Sequence, residues 1–104
     1  MAAPTLSFGG NKIAKDEKDI YTIDFVNGGK WTFDQKEIDS LNKILTEFQT
    51  QCGAVERELK RTKGGTVIVE NKLGYIFLKE GAQCARFWGQ EIYELQGAIR
   101  RLKG

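Results

Sequence analysis

The stretch DQKEIDSLNKILTEFQTQCGAVERELKRTK, residues 34–63, decides how this chain is read. Its apolar side chains fall at Ile38, Leu41, Leu45, Phe48, Cys52, Val55 and Leu59, a 3-4-3-4-3-4 spacing. That spacing lines one side of a helix and is the pattern of a coiled-coil or helix-pair seam. Ile44 widens the stripe. At the front, Asp34 has the chemistry of an N-cap, and Glu37 stands three residues on to complete a capping box. At the back, Lys60, Arg61 and Lys63 suit the negative end of a helix dipole, and Gly64-Gly65 stops the helix. Gly53 is an internal weak point, costing about 1 kcal/mol relative to alanine. The spacing predicts one helix over 34–63, about 45 Å long.

That length carries an expectation about partners. A chain of 104 residues makes one domain roughly 34 Å across. A 45 Å helix (about 1.5 Å per residue) outruns such a domain while still presenting Val55 and Leu59. A second copy packed along it would cover them, so a homodimer is expected.

Upstream, Ile20–Val26 and Lys30–Phe33 read as strands joined by Asn27-Gly28-Gly29. A three-residue turn pairing Val26 with Lys30 and Phe25 with Trp31 sends Tyr21, Ile23, Phe25, Trp31 and Phe33 to one face. Thr22, Asp24, Lys30 and Thr32 take the other, whereas a two-residue turn splits the apolar set. Downstream, Thr66–Glu70 and Gly74–Lys79 form a second hairpin around Asn71-Lys72-Leu73. Because Tyr75, Ile76, Phe77 and Leu78 are continuous, this ribbon is apolar on both faces and belongs centrally in a sheet or against a second subunit.

A final helix repeats the seam at Ala85, Trp88, Ile92, Leu95, Ile99 and Leu102. Adding 47 carries each seam position from Ile38 to Val55 onto one of these. The expected fold is therefore α+β: two hairpin–helix (ββα) units, 20–65 and 66–104, forming a four-stranded, largely antiparallel sheet with two long amphipathic helices in a dimer. Residues 1–19 are expected to be a flexible N-terminal arm, with Leu6 and Phe8 able to tether it. The expected dimer or helix interface comprises Leu45, Phe48, Cys52, Val55, Leu59, Trp88, Ile92, Leu95, Ile99 and Leu102. Gly89, Tyr93 and Gly97, spaced by four, mark a candidate close-packing face, since glycine in a helix needs an offsetting contact.

Little in the chain carries chemistry. There is no histidine among 104 residues, which removes the commonest general base and the commonest metal ligand. Cys52 and Cys84 lie 32 residues apart without a CxxC, so no metal site, cofactor or disulfide scaffold is indicated. Glu91 and Glu94 lie three apart on the final helix and read as solvated face, and the glycine pairs lack a phosphate-loop pattern. An enzyme is not expected. Without a signal-like start or the roughly 18 apolar residues of a spanning helix, a cytoplasmic protein without membrane contact is expected.

Sixteen basic against 14 acidic residues conceal an asymmetry: residues 1–56 carry 6 against 9, and residues 57–104 carry 10 against 5. The leading expectation is a homodimeric protein-interaction or assembly module, whose partner is itself or another protein. The alternative is single-stranded nucleic-acid binding through Arg57, Lys60, Arg61, Lys63, Lys72, Lys79, Arg86, Arg100, Arg101 and Lys103. Trp31, Tyr75 or Phe77 would then stack bases, provided the sheet is open on their side.

Overall fold

The stretch that reads as one long helix is a helix followed by a strand. A computed structural model, describing residues 4–51 and 53–103, runs β1 (Leu6–Phe8), β2 (Asn11–Lys15), β3 (Tyr21–Phe25), β4 (Gly29–Phe33), α1 (Gln35–Phe48), β5 (Val55–Lys60), β6 (Thr66–Lys72), β7 (Tyr75–Glu80), β8 (Gln83–Trp88), a 3-10 turn (Gly89–Glu91) and α2 (Ile92–Lys103). The strands form two antiparallel sheets ordered β1-β2-β3-β4 and β5-β6-β7-β8. This corrects the expected fold class. There are two four-stranded sheets rather than one, each unit carries four strands rather than two, and the helices are 14 and 12 residues long.

The reason lies in the spacing. Four is an even number, so Val55 and Leu59 share one face of a strand as readily as one side of a helix. In β5, Val55, Arg57 and Leu59 point inward while Glu56, Glu58 and Lys60 are exposed, a clean period of two. Before it, Gln49 N–H donates to Thr46 O and Thr50 N–H to Glu47 O, closing α1, and Gly53 turns the chain at φ +81. The step of three from Ala85 to Trp88 is odd, so in β8 the two side chains lie on opposite faces: Ala85 is buried and Trp88 is 50% exposed. Cys52 lies outside the described residues.

The expected flexible arm over 1–19 is corrected where it forms strands, at Leu6–Phe8 and Asn11–Lys15, while its residues 1–3 lie outside the described residues. β1 and β2 form a hairpin across Gly9-Gly10, with Phe8 and Ile13 fully buried. Asn11 holds it in place: its Nδ2 donates to Phe8 O at 3.1 Å, and its Oδ1 accepts from Val26 N at 2.9 Å. In the next hairpin Tyr21 faces Phe33, Ile23 faces Trp31 and Phe25 faces Gly29. The pairing slips by two residues from the one expected, with Val26–Gly28 as the loop. A slip of two keeps every side chain on its face, and the five apolar residues are buried together. β7 lies between β6 and β8, the central position that its two apolar faces suit.

The strand pairings relate the two ββββα units. Ile23 opposite Trp31 corresponds to Leu78 opposite Ala85, and Tyr21 opposite Phe33 to Ile76 opposite Phe87. From β4 onward the offset is 54, which carries Ile38 to Ile92, Leu41 to Leu95, Leu45 to Ile99 and Phe48 to Leu102, all buried. The offset of 47 was a coincidence of heptad spacing.

The helices cross between units. α1 packs against β5 of the second sheet, while α2 packs against β1 and β2 of the first. Phe8, Phe25 and Phe87 meet at the junction, with Phe25 and Phe87 stacked at 5.9 Å and Phe8 set edge-on to both. The β3–β4 loop closes over β8: Arg86 N donates to Asn27 O at 3.0 Å, and Gly28 approaches so closely that a Cβ there would lie 2.3 Å from Ala85 Cβ. The radius of gyration is 12.8 Å, as expected of one chain of this length. A 14-residue helix spans about 21 Å, so no protruding helix remains to demand a second copy.

Candidate nucleic-acid interface

Alternation in β6, β7 and β8 sends one set of side chains to the core and the other to an open face. Val67, Val69, Ile76, Leu78, Ala85 and Phe87 are buried. Lys72, Tyr75 and Trp88 then stand in one row across the open face, with Glu70, Phe77 and Arg86 in the next and Ile68, Lys79 and Cys84 in a third. This face carries an aromatic platform. Tyr75 and Trp88 stack with centroids 4.2 Å apart, and Phe77 lies 5.9 Å from Tyr75, tilted by 50°. The Arg86 guanidinium sits over the Tyr75 ring at 5.2 Å, and the Lys79 ammonium lies 5.9 Å from the Phe77 ring. Stacked rings flanked by cations offer π-faces to planar groups and charge to anions.

Ion pairing divides the ten basic residues. Arg57 binds Glu47 at 3.0 Å, Lys79 pairs with Glu70 and Lys103 with Asp39. The hydrogen bond and then the charge of Glu70 raise the Lys79 pKa above its ordinary value. Arg61 is committed most deeply. Its side chain, 14% exposed, pairs with Glu80 at 2.9 Å and Glu37 at 3.4 Å and donates to Thr32 O at 2.7 Å. Burial alone would lower the Arg61 pKa, but the hydrogen bond and charge of Glu80, with Glu37 behind them, raise it. Lys60 lies on the exposed face of β5, Lys63 in the β5–β6 turn, and Arg100 and Arg101 on the exposed side of α2. The structure thus brings Lys72, Lys79 and Arg86 to the aromatic platform, leaves Lys60 further along the same face on β5 beside Glu56 and Glu58, and disperses the other six.

The remaining predicted positions are placed as follows. Leu45, Phe48, Leu59, Ile92, Leu95, Ile99 and Leu102 are buried in the chain's own core, and Val55 is packed against it, which leaves them unavailable to a second copy. Gly89 is in close contact, but with the β6–β7 turn: its N–H donates to Gly74 O at 2.9 Å. Gly97 has open space around its Cα, and Tyr93 is 68% exposed. Trp31 cannot stack a base, being 2% exposed with its Nε1 donating to Gly28 O. Trp88 is the stacking residue that spacing concealed; the alternation Cys84-Ala85-Arg86-Phe87-Trp88 is the signal that reveals it.

Among the described residues, no three His, Cys, Asp or Glu side chains cluster to hold a metal ion, and no helix is long and apolar enough to cross a membrane. Comparison with protein-family models, curated proteins and solved structures gave no match.

Proposed function

We propose that this protein binds single-stranded nucleic acid on the open face of β6–β8, as a cytoplasmic binding protein without catalytic activity. The observation that carries the reading is the exposed Trp88–Tyr75 stack beneath Arg86. Every base has a π-face, and base–aromatic stacking contributes about 1–3 kcal/mol per base. Lys72 continues the row of Tyr75 and Trp88, where it meets a phosphate as the strand passes over the rings.

The two tryptophans make the test direct. Trp31 is buried and Trp88 half exposed, so quenching of tryptophan fluorescence by an oligonucleotide reports on Trp88. Quenching is expected for single strands, with affinity falling on added salt. The log–log slope should be about −1.4, because Lys72 and Arg86 contribute about 0.7 each while Lys79 is held by Glu70. Trp88→Ala should weaken binding about tenfold. Absence of binding at about 100 μM strand in low salt overturns the reading.

A second reading, an assembly module docking itself or another protein, is favoured by Leu73 at 83% and Tyr93 at 68% exposure. Light scattering of the purified chain distinguishes a self-associating patch from a strand-binding one.

A further inference from the structure

We infer that the cavity beside Trp88 seats one nucleobase of the bound strand and prefers adenine; this rests on the open-face reading above. The cavity, of about 530 Å³, lies where the end of α1, the tip of the β6–β7 hairpin and the entry to α2 meet. Phe48 and Ile92 contribute apolar surface, Trp88 and Tyr93 contribute rings, and Gln49, Asn71 and Gln90 contribute carboxamides. Trp88 belongs both to this cavity and to the stacked row on the sheet, so a strand lying along the row reaches the cavity without leaving it.

The lining decides the class of occupant. It contains no charged side chain, so it does not suit a phosphate, which calls for Arg or Lys. An aliphatic side chain of a protein partner would strip water from the carboxamides without replacing its hydrogen bonds, which is costly. Gln49 already donates to Gln96, whereas the side chains of Asn71 and Gln90 have no protein hydrogen-bond partner among the described residues. A planar base satisfies both needs, with its face against the indole and its edge against the amides.

Adenine fits best. A carboxamide presents one donor beside one acceptor and pairs bidentately with adenine N6 and N7. The Watson–Crick edge of adenine, N1 with N6, offers a second donor–acceptor pair. Thymine (N3–H with O4) and cytosine (N4–H with N3) offer a carboxamide one such edge where adenine offers two. The N7–O6 edge of guanine offers two acceptors and suits arginine, which this lining lacks.

The test compares an oligothymidylate of about ten nucleotides with the same strand carrying one central adenine, by competition at fixed salt. The wild-type chain should bind the adenine strand at least about fivefold more tightly. The ratio of the two affinities should fall to near one in Asn71→Ala/Gln90→Ala. Gln90 is exposed on the 3-10 turn, so Gln90→Ala alone keeps the test available if the double variant does not fold. Equal wild-type affinities, or a ratio unmoved in the variants, overturn the base seat and leave the open-face reading standing. Binding of neither strand overturns both.

Discussion

Glu37 and Glu91 occupy the same position in the two units, and each carboxylate spans between units. Glu37 Oε1 accepts from Asp34 N at 2.8 Å, and Glu91 Oε1 accepts from Trp88 N at 3.0 Å, each closing the start of its own helix. The second oxygen of Glu37 accepts from Thr62 N at 3.1 Å, in the first turn of the other unit. Glu91 lies against the equivalent turn, so close that a Cβ on Gly9 would fall 1.2 Å from its Oε2. Two buried acids, 6% and 8% exposed, therefore fix both the helix starts and the crossing.

Their removal should be unequal. Glu37→Ala leaves two part-buried N–H groups without their acceptor and strips Arg61 of one partner, so it should cost about 2–3 kcal/mol. Glu91→Ala removes one such bond and should cost about 1–2 kcal/mol. Urea denaturation measures both, and equal losses would refute the asymmetry.

Arg61 joins β5 to Glu37 of α1, Glu80 of β7 and the Thr32 carbonyl of β4. Arg61→Ala should destabilise the fold by at least about 3 kcal/mol, because it leaves a buried carboxylate unpaired. Arg61→Lys should recover little of that loss, since a single ammonium cannot reproduce the forked geometry. Melting temperatures of the two variants should therefore lie closer to each other than to wild type.

Acid should weaken the same junction. A hydrogen bond from Arg61 holds the Glu80 carboxyl below its ordinary pKa of 4.5, and bonds from the Thr62 hydroxyl and then the Glu37 N–H hold Asp34 below 3.8. A carboxyl depressed in the folded state stabilises above its unfolded pKa and loses that contribution as pH falls through its folded one. The urea midpoint should thus be insensitive to these groups at neutral pH and fall below about pH 4.5, less steeply in Glu80→Gln. Lys79 has the opposite sign: its raised pKa contributes below about pH 10.4 and is lost at higher pH.

Leu73 takes φ +56 with 83% of its surface exposed, a left-handed conformation that a branched side chain adopts at a cost, with no burial to offset it. Leu73→Asn should raise stability by about 0.5–1 kcal/mol, seen as a higher melting temperature. A loss of stability would mean that Leu73 is held by contacts within the chain.

Some of this was legible in residues and some was not. Tyr21, Ile23, Phe25, Trp31 and Phe33 share a face in either of two registers, so their burial followed without the correct pairing. The Asp34–Glu37 box is local and was readable for the same reason. Val55 and Leu59 were not decidable by spacing, since an interval of four serves a strand and a helix alike. β1 and β2 went unread because Leu6, Phe8 and Ile13 are scattered among polar residues and join a core supplied by α2. At the open face, Tyr75, Phe77, Lys72, Lys79 and Arg86 could be named from composition, but only tertiary structure separates them from Arg61, whose carboxylate partners lie 24 and 19 residues away in sequence.

The crossing of the helices also sets the order in which this chain can mature. β1 and β2 are sealed by α2, which follows every strand in the chain. On the ribosome, Phe8 and Ile13 must wait with their apolar surface uncovered until α2 emerges, so although each sheet pairs only strands adjacent in sequence, the sealing of this junction is a late event. Conversely, cutting the chain between α1 and β5 would leave two fragments that each lack a lid and carry the other's. Mixed together, they should reconstitute the native fold, making this architecture a natural candidate for a split reporter.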